Sequence, residues 1–394
     1  MKKVYILDGA RTALTAFGGS FAGTAATKLG TVTANEALKR AEVDPAQINH
    51  IVYGNVISSE TNAAYIARHI GLEIGVPQRT PAFILNRLCG SGLQAIISGA
   101  QEIMLSDADY ALVGGVENMS QAPYSNFDKR FGGAKIGELK FHDMLQATLF
   151  DEYTGFGMGV TAENLAEKYT ISREEQDEFA VLSHQRAAKA QSSGRFAEEI
   201  VPVEVESRRK ITVINQDEHL KPETTAEKIS KLRPSFKKDG TVTAANASGI
   251  NDGAASLIIA GEDAVQKNNL NPLAEIVSWA VAGVDPNIMG IGPVPAIQQA
   301  LNKANLSLDD MDIIEVNEAF AAQYLAVEKE LGLDREKTNV NGGAIALGHP
   351  VGVSGARIAL SAAYELRNRN KEYAVVSLCI GGGQGIAMVI RNKQ

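Results

Sequence analysis

Residues 91–116, SGLQAIISGAQEIMLSDADYALVGGV, have a counterpart 263 positions later in residues 354–379, SGARIALSAAYELRNRNKEYAVVSLC. In each stretch an apolar run with helical spacing is followed by a continuous apolar run of strand length. Buried strands that alternate with helices are typical of sheets covered on both faces. The two stretches therefore predict the same α/β unit twice. Identical residues at this offset are Ser91-Gly92 with Ser354-Gly355, Glu102 with Glu365, Tyr110-Ala111 with Tyr373-Ala374, and Val113 with Val376.

The same offset extends the repeat without a gap from about residue 29 to residue 116. A single offset held over this length predicts a duplicated domain. Further pairs at this offset are Ala37, Leu38 and Ala41 with Ala300, Leu301 and Ala304, Ile51 with Ile314, and Ala63 with Ala326. The elements expected are helices over residues 29–41, 91–105, 294–304 and 354–368, and strands over 48–54, 110–114, 312–316 and 373–378.

We predict an α/β fold in which two duplicated halves share a central helix layer, giving a layered αβαβα arrangement. The first half covers residues 1–118 and is completed by part of 241–270, and the second half covers residues 271–394. Between them, residues 119–250 form an inserted loop domain with charged segments such as 172–191. Long insertions are often lids or binding elements. The alternative is a flap that stabilises the fold or an oligomer.

The composition is that of an ordinary globular protein. Of 394 residues, 45% are hydrophobic and 21% are charged, and the net charge is −8. This balance offers no general basic face for nucleic acid, and no apolar run approaches the roughly 18 residues of a membrane span. We expect neither nucleic acid nor a membrane as a partner. Two cysteines without a CxxC pair fit neither a disulfide framework nor a zinc site, which favours a reducing, cytoplasmic setting.

Both cysteines lie in glycine-rich segments, Cys89 in NRLCGSG (86–92) and Cys379 in CIGGGQG (379–385). Glycines beside a thiol allow backbone and substrate to approach it closely. Cys89 precedes the helix that is predicted from Ser91, where free N–H groups and the helix dipole favour the thiolate form. This position favours a nucleophile. The alternative is that both cysteines are small buried hydrophobic residues.

The equivalent loop of the second copy, GGAIALGHPVGVSG (342–355), contains His349. At the offset of 263, Gly352 takes the place of Cys89, and His349 takes the place of Asn86. If the copies pack around a pseudo-twofold axis, the two loops meet there and His349 comes close to Cys89. We therefore expect His349 to act as a base toward the thiol. The alternative is a capping or surface histidine.

Two further segments complete the expected site. Asn317 and Glu318 follow a predicted strand, although helix capping is an alternative role for both. Cys379 ends the last apolar strand, and the glycines from Gly381 onward offer free N–H groups of the kind that hold an oxyanion. Such a glycine segment alone is weak evidence. A thiol, an imidazole, an amide and a glycine segment on one face are strong evidence for a catalytic site.

These segments resemble those of the thiolase family in residue type, in order and across the whole chain. The resemblance is strongest to the short-chain acetyl-CoA acetyltransferases. It implies reversible condensation of two acetyl-CoA to acetoacetyl-CoA and CoA through an acyl-cysteine, with a coenzyme A thioester as substrate and neither cofactor nor metal. The motifs that carry it are NRLCGSG (86–92), NASGINDGAA (246–255), NEAF (317–320), GHP (348–350) and CIGGGQG (379–385).

The resemblance also implies catalytic roles. Cys89 attacks the thioester after losing its proton to His349, and Cys379 exchanges the α-proton of the second acetyl-CoA. One oxyanion would lie against His349 and a water held by Asn317, and the other against the N–H groups of Cys89 and Gly381. Loss of one such donor typically raises the barrier by about 3–4 kcal/mol.

Substrate-binding residues follow from the same resemblance. It implies Ala247 and Ser248 beside coenzyme A and Phe236 on its adenine side. Residues 118–140 resemble the loop through which short-chain thiolases form tetramers, so a homotetramer is expected. For the lysines near the phosphates, a solvated charged face is the alternative. The remaining implied contacts are Met158, Ala319 and Phe320 at the acyl pocket, Leu149 at the substrate or coenzyme A, and Lys221, Lys237 and Lys238 at the phosphates.

One departure from the short-chain pattern concerns the acyl pocket. Short-chain members usually carry His immediately before the pocket Met, whereas Gly157 precedes Met158 here. A wider pocket or a changed contact to the pantetheine arm would follow. The first alternative is therefore a degradative 3-ketoacyl-CoA thiolase of longer chain preference. A decarboxylating condensing enzyme would lack the cysteine at position 379, and a non-catalytic thiolase-like acyl-CoA-binding protein would lack one or both cysteines.

Overall fold

The computed structural model describes residues 2–133, 135–207 and 210–393. Its main feature within these residues is one ten-stranded sheet, accompanied by two-stranded sheets. The strands, in chain order, are β1 (Val4–Arg11), β2 (Thr15–Ala16), β3 (His50–Gly54), β4 (Ala82–Leu85), β5 (Tyr110–Asn118), β6 (Tyr124–Ser125), β7 (His142–Asp143), β8 (Phe150–Asp151), β9 (Phe156–Gly157), β10 (Val203–Ser207), β11 (Lys210–Ile214), β12 (Asn251–Gly261), β13 (Ala274–Gly283), β14 (Ile313–Val316), β15 (Tyr373–Ile380) and β16 (Gln384–Asn392).

The helices begin and end where their sequences supply caps. Ser172 and Glu175 form a capping box at the start of α6, Pro293 opens α9, and left-handed Gly332 ends α10. The α-helices are α1 (Ala26–Arg40), α2 (Ile66–Glu73), α3 (Ser91–Met104), α4 (Met144–Thr148), α5 (Met158–Lys168), α6 (Arg173–Ser192), α7 (Ala226–Ile229), α8 (Glu262–Lys267), α9 (Pro293–Ala304), α10 (Ala321–Leu331), α11 (Ala344–Leu347) and α12 (Ser354–Arg369).

The ten-stranded sheet consists of two limbs. Its order is β14-β15-β16-β13-β1-β12-β5-β3-β4, and β2 pairs with β12. The limbs join where residues 4–6 of β1 pair antiparallel with residues 274–276 of β13. Helices α3 and α12 contact strands of both limbs, so the sheet folds around them. The limits given above for the two halves and the insertion stay predictions.

The strand pairing repeats at the same offset as the sequence. His50 to Tyr53 of β3 pair in parallel with Ala111 to Gly114 of β5, and the residues 263 positions later pair in the same register between β14 and β15. Asn49 Oδ1 accepts from the N–H groups of residues 109 and 110. Its counterpart Asp312 accepts in the same way from residues 372 and 373. The expected duplication is therefore present in the backbone.

The elements stack in five layers. Helices α1 and α2 cover the first limb, and α9 and α10 cover the second. Helices α3 and α12 fill the space between the limbs, where apolar side chains from both limbs pack against them. The predicted αβαβα arrangement is thus confirmed. It places the amino ends of α3 and α12 side by side at the centre of the molecule.

The contact between these helix starts is made by equivalent glycines. A Cβ on Gly92 would lie 2.6 Å from the Ala356 nitrogen, and a Cβ on Gly355 would clash with Leu93. Because Gly92 and Gly355 are 263 positions apart, each helix start packs against the other around the expected pseudo-twofold axis. The loops just before them, which carry Cys89 and His349, are thereby brought to one place.

The inserted segment packs on both halves. The rings of Phe179 and Tyr324 stack at a centroid distance of 4.1 Å, which joins α6 to α10. Toward the first half, the fully buried Arg11 bonds to Glu199 at 2.9 Å and to Asp217 at 2.8 and 3.0 Å. A buried guanidinium with two carboxylate partners is well compensated. These contacts fix the insertion beside the central loops.

Candidate active site

The segment that carries Cys89 leaves β4 and turns sharply into α3. Leu88 has a φ of +45°, which is unfavourable for a leucine. The turn is closed by Ser91, whose Oγ accepts from the Arg87 N–H at 2.8 Å and donates to the Leu88 carbonyl at 2.7 Å. Strained backbone of this kind clusters at functional sites. The turn presents Cys89 immediately before the N-cap residue Gly90.

The Cys89 thiol is half-buried and packs against an apolar cluster that includes Leu145 and Val351. Burial raises its pKa to about 11, a hydrogen bond from the Gly381 N–H opposes this rise, and the Glu117 carboxyl adds to it. The expectation that the start of α3 makes Cys89 a thiolate is therefore wrong, because lost solvation outweighs the N–H groups. At neutral pH the group is a thiol, and attack by its sulfur needs a base.

Cys379 lies near the end of β15, and 1% of its surface is exposed. It packs in a small apolar cluster with Met289 and Ala319. Burial raises the pKa of this thiol, and Cys89 is close enough to raise it further when its own sulfur is ionised. The structure therefore brings together two thiols from different halves of the chain.

His349 lies between α11 and α12, and its main-chain N–H donates to Asn251 Oδ1 at 3.0 Å. Its Nδ1 lies 2.6 Å from Ser354 Oγ. Since the Ser354 hydroxyl donates to the Pro350 carbonyl, it accepts from Nδ1–H, which leaves the free lone pair on Nε2. Burial, together with the positive Arg357, lowers the pKa of His349 to about 4. The ring is therefore neutral at pH 7, with Nε2 available as a base.

Asn317 follows β14 and lies beside this base. Its Nδ2 is 3.5 Å from Nε2 of His349, and its main-chain N–H donates to the Ser377 carbonyl of β15 at 2.9 Å. The side-chain oxygen of Asn317 is buried and has no hydrogen-bond partner among the described residues. Buried polar atoms normally have a partner. The role of Asn317 in holding a water stays a prediction.

The glycines after Cys379 supply the free backbone donors. Gly381 donates to the sulfur of Cys89, and Gly382 and Gly383 have φ values of +77° and +83°. A β-carbon would make both conformations unfavourable, so glycine is required for this turn. The site thus combines a thiol, a neutral imidazole, a second thiol and a backbone N–H at the nucleophile. This combination suits acyl transfer through a thioester on cysteine.

Two family models cover the chain nearly from end to end. The model of the thiolase N-terminal domain matches residues 4–263, and that of the thiolase C-terminal domain matches residues 270–392. The chain belongs to the thiolase family. The resemblance seen in the sequence is confirmed, and so is the class of the enzyme, an acyltransferase.

Known thiolases align with this thiolase over nearly their full length. Mouse mitochondrial 3-ketoacyl-CoA thiolase is 54% identical over 393 residues, covering 100% of this chain and 99% of the mouse protein. The acetyl-CoA acetyltransferase of Paracoccus denitrificans is 44% identical over 391 residues, or 99% of each chain. The crystal structure of human mitochondrial 3-ketoacyl-CoA thiolase in complex with CoA has a TM-score of 0.96 at 52% identity and covers 100% of this chain and 98% of the human one. The fold class is confirmed as well.

The predicted cytoplasmic setting is wrong by the same comparison. The relatives that are 52–54% identical over the full chain are mitochondrial by name. The prediction rested on two free thiols, which indicate a reducing compartment. Free thiols do not distinguish one reducing compartment from another, so this evidence was too weak to choose the cytoplasm.

The residues expected at coenzyme A lie along one side of the thiolase site. The Ser248 N–H donates to the Ala319 carbonyl at 3.0 Å, and Ala247 forms a β-bridge with Phe320. Phe236 is 45% exposed and meets the Phe320 ring edge-on at a centroid distance of 5.9 Å. These contacts form a continuous row from the surface to the buried thiol of β15.

The acyl-pocket residues meet at the start of α5. The Met158 N–H donates to the Leu149 carbonyl at 3.0 Å, and a Cβ on Gly381 would lie 3.2 Å from the sulfur of Met158. Met158 and Phe320 both border the cluster around Cys379. At position 157, an added Cβ would contact the Leu149 carbonyl at 3.3 Å and nothing else within 4 Å. A side chain at this position would therefore require a small shift of the Leu149 carbonyl and would meet no other atom at its Cβ.

The lysines expected at the phosphates differ in their surroundings. Lys221 is exposed, and its main-chain N–H donates to Nδ1 of His184 at 3.3 Å. Lys237 forms an ion pair with Glu167 at 3.6 Å, which competes with any phosphate. Lys238 is exposed. A phosphate contact stays a prediction for all three lysines.

Four residues of the site were not found in the sequence. Ser354 had a signal, since it is the counterpart of Ser91, but its bond to His349 requires the three-dimensional turn. Asn251 lies inside a quoted motif, and its side chain holds the His349 N–H. The other two, Met289 and Glu117, reach the site from segments without any local pattern.

In the part of the chain that the structure describes, no three His, Cys, Asp or Glu side chains gather in a way that suits a metal ion. Among the same residues, no helix combines the length and the apolar character needed to cross a bilayer.

Proposed function

We propose that this thiolase is a 3-ketoacyl-CoA thiolase that prefers chains longer than acetoacetyl-CoA. The observation that carries this proposal is the glycine at position 157, which leaves no side chain immediately before Met158, where short-chain members usually carry a histidine. The names of the relatives support it, since the 3-ketoacyl-CoA thiolases are 52–54% identical and the Paracoccus denitrificans acetyltransferase is 44% identical. Condensation of two acetyl-CoA, the first expectation from the sequence, is less well supported.

In the proposed thiolysis, Nε2 of His349 takes the proton of Cys89 as the sulfur attacks C3 of the 3-ketoacyl-CoA. The C2–C3 bond then breaks, the acyl group stays on Cys89, and the enolate of acetyl-CoA takes a proton from Cys379. Cys379 next deprotonates an incoming CoA thiol, whose sulfur attacks the thioester. The Cys89 sulfur is released and regains the proton from His349. Condensation is the same sequence in reverse.

The charges of the site support a concerted first step. The pKa of Cys89 is raised to about 11 by burial, and the pKa of His349 is lowered to about 4 by burial. A proton transfer between the two groups before attack would be unfavourable. Proton transfer from Cys89 to His349 is therefore coupled to attack by the Cys89 sulfur on the substrate. During this attack, the developing oxyanion accepts hydrogen bonds from the N–H groups of Cys89 and Gly381.

For the substrate, we propose that the pantetheine arm follows Ala247 and Ser248 and that the adenine lies against Phe236. Phe236 is half exposed and its ring is held by Phe320, which suits an aromatic ligand. Lys221 would meet a phosphate. Coenzyme A thioesters and CoA are the only small molecules this scheme requires.

The experiment compares thiolysis of C4 and C8 3-ketoacyl-CoA by the purified protein. We expect kcat/KM for C8 to exceed that for C4 by about tenfold or more, because each buried methylene contributes roughly 1 kcal/mol. Gly157→His adds a side chain immediately before Met158. It should lower kcat/KM for the C8 substrate by about tenfold while kcat/KM for the C4 substrate changes little. Gly23→Ala is the matched control, since a Cβ there meets nothing within 4 Å. A preference for C4 would instead establish an acetyl-CoA acetyltransferase.

We also propose that the chain forms a homotetramer through residues 118–140, the segment at the end of β5 and beyond it. Large apolar side chains are unusually exposed there, including Phe131 at 97%, Ile136 at 96% and Phe127 at 69%. Patches of this kind mark interaction surfaces. Light scattering should give a mass of four chains, which Phe131→Ser with Ile136→Ser reduces. Leu105→Ser, at an exposed apolar residue elsewhere, should leave the mass unchanged.

A further inference from the structure

The loop that carries His349 donates main-chain hydrogen bonds to a buried carboxyl group near each of its ends. We define the His loop as residues 342–353, which contain the short helix α11 and end at the residue before α12. In its middle, Asn251 holds the His349 N–H. At its ends lie Glu318 and Glu117, which are 1% and 0% exposed. Neither carboxyl has a role in the steps given above.

Glu117 holds the far end of the His loop. Its Oε2 accepts from the Gly352 N–H at 2.9 Å, and a Cβ on Gly352 would lie 2.5 Å from the same oxygen. Both oxygens also accept from the first half, from the N–H groups of Val56 and Ile57 at 3.1 and 3.0 Å and from Asn55 Nδ2 at 3.2 Å. Glu117 therefore joins the segment after β3 to the residue that takes the place of Cys89.

Glu318 holds the near end. Its Oε2 accepts from the Ile345 N–H at 3.2 Å and from the Ser183 hydroxyl at 2.6 Å, and its Oε1 accepts from Asn339 Nδ2 at 3.0 Å. The Ser183 oxygen in turn accepts from the Gly343 N–H at 3.1 Å. A Cβ on Gly343 would clash with the carboxyl group. Helix α6 of the insertion thus helps to hold the start of the loop.

The two carboxyls are arranged alike although the repeat does not relate them. The counterpart of Glu117 is Ile380, and the counterpart of Glu318 is Asn55. Each carboxyl packs against a glycine of the His loop and accepts one of its N–H groups. Burial raises the pKa of both carboxyls, whereas the N–H and O–H groups that donate to their oxygens favour the carboxylate form. Burying a carboxyl is unfavourable, so each occupies a position that an apolar residue would fill at less cost to the fold.

We propose that Glu117 and Glu318 are positioning residues that hold the two ends of the His loop and thereby aim Nε2 of His349 at the Cys89 thiol. The inference rests on the proposed function, in which His349 is the base. Displacement of a catalytic group by about 1 Å can lower a rate roughly 100-fold. The loop has glycines at four positions, so its own backbone gives little resistance to such a displacement.

The test uses Glu117→Gln and Glu318→Gln separately. A glutamine keeps the length of the side chain, but its amide NH₂ must face a donor, because both carboxylate oxygens accept from N–H or O–H groups. We expect the rate constant for acylation of Cys89 by acetyl-CoA to fall about 10- to 100-fold. The final fraction of acylated sites and the Kd for CoA should stay unchanged. Ser183→Ala, a milder change at the same anchor, should slow acylation about two- to tenfold.

Glu163→Gln is the matched control. Glu163 is 4% exposed and accepts from the N–H groups of Thr241 and Val242 at 2.9 to 3.0 Å, away from the His loop. We expect this variant to lower Tm but to leave the acylation rate constant within about twofold of the wild type. The inference is overturned if Glu163→Gln slows acylation as strongly. It is also overturned if the loop variants acylate at the wild-type rate, or lose activity only in proportion to acylatable sites.

A second measurement separates this inference from the proposed function. Alkylation of Cys89 by iodoacetamide at pH 7 needs the base but no thioester. If wild-type protein forms no acyl-enzyme from any acyl-CoA while both loop variants slow alkylation about tenfold or more, the proposed function fails and the positioning role stands. Equal alkylation rates in all variants would remove the positioning role.

Discussion

The loops that carry Cys89 and His349 occupy equivalent places in the two copies, yet equivalent serines do different work in them. Ser91 accepts from a main-chain N–H and closes the strained turn that presents the thiol. Ser354 accepts from the imidazole of His349 and selects the ring nitrogen that stays free. One loop fixes a backbone and the other fixes a side chain. Duplication therefore supplied the frame, and the chemistry arose where the two copies became different.

The largest effect should come from removing either thiol of this unequal pair. Cys89→Ala should abolish the acyl adduct and lower turnover by about 10⁴-fold or more, because the nucleophile is lost. Cys379→Ala should still form the adduct but fail to pass the acyl group to CoA. Intact-protein mass after incubation with acetyl-CoA distinguishes the two variants. An adduct that survives Cys89→Ala would contradict the assignment of the nucleophile.

The buried state of His349 should appear as a pH dependence of stability. Its folded pKa of about 4 lies below the ordinary 6.5, so the unfolded chain binds the proton first as the pH falls. The stability contribution is complete above pH 6.5 and should decline by about 3 kcal/mol as the pH falls to 4.

Chemical denaturation of wild type and His349→Asn between pH 7 and pH 4 checks this decline. The comparison is needed because burial also lowers the pKa of His184 and His219 to about 4. The difference in unfolding free energy between the two proteins should vary with pH. A constant difference would mean that His349 titrates normally in the folded protein.

A smaller effect should follow from making the two loops more alike. Gly352→Ala places a Cβ 2.5 Å from Glu117 Oε2, so the fold must shift to admit it. We expect a loss of about 1–3 kcal/mol in unfolding free energy. Urea titration against Gly23→Ala measures it, since position 23 is open. Equal stability of the two variants would show that the centre of the molecule tolerates a side chain opposite Cys89.

The smallest effect should distinguish the two serines. Ser354→Ala removes the partner of His349 Nδ1, so the free lone pair is no longer held on Nε2, and kcat should fall about tenfold. Ser91→Ala leaves the base intact and should lower stability by about 1 kcal/mol. Steady-state thiolysis and thermal unfolding of both variants provide the test. A larger kcat loss in Ser91→Ala would reverse the roles given to the two loops.

Most of the repeated core could be predicted from the sequence because its signals are local. Strands β3, β5, β14 and β15 are short apolar runs, and the fixed offset carried their register from one copy to the other. Part of residues 241–270, the range that contains β12, was expected to complete the first half, but the antiparallel place of β12 between β1 and β5 was not foreseen, because pairing between distant segments leaves no local pattern. The join between β1 and β13 was not foreseen for the same reason.

The features of the site also divide into those with a local signal in the sequence and those without one. Cys89 and His349 were found because glycine-rich motifs surround them and the offset of 263 relates their loops, and Asn317 was found because it follows an apolar strand. The protonation state of Cys89 was predicted wrongly, since the helix start is visible in the sequence but burial against the apolar cluster that includes Val351 is not. Cys89 shows that a pKa depends on neighbours from several segments, whereas a motif reports only one.

The pairing of β1 has a consequence for how the protein is made. Both of its neighbours in the sheet, β12 and β13, lie in residues 251–283, far along the chain. On the ribosome, β1 emerges long before these residues and must wait with its hydrogen-bonding groups and apolar residues unpaired until they have been synthesised. Ribosome-bound chains that stop before residue 250 should therefore depend on chaperones, and chains that extend past residue 283 should begin to resist protease.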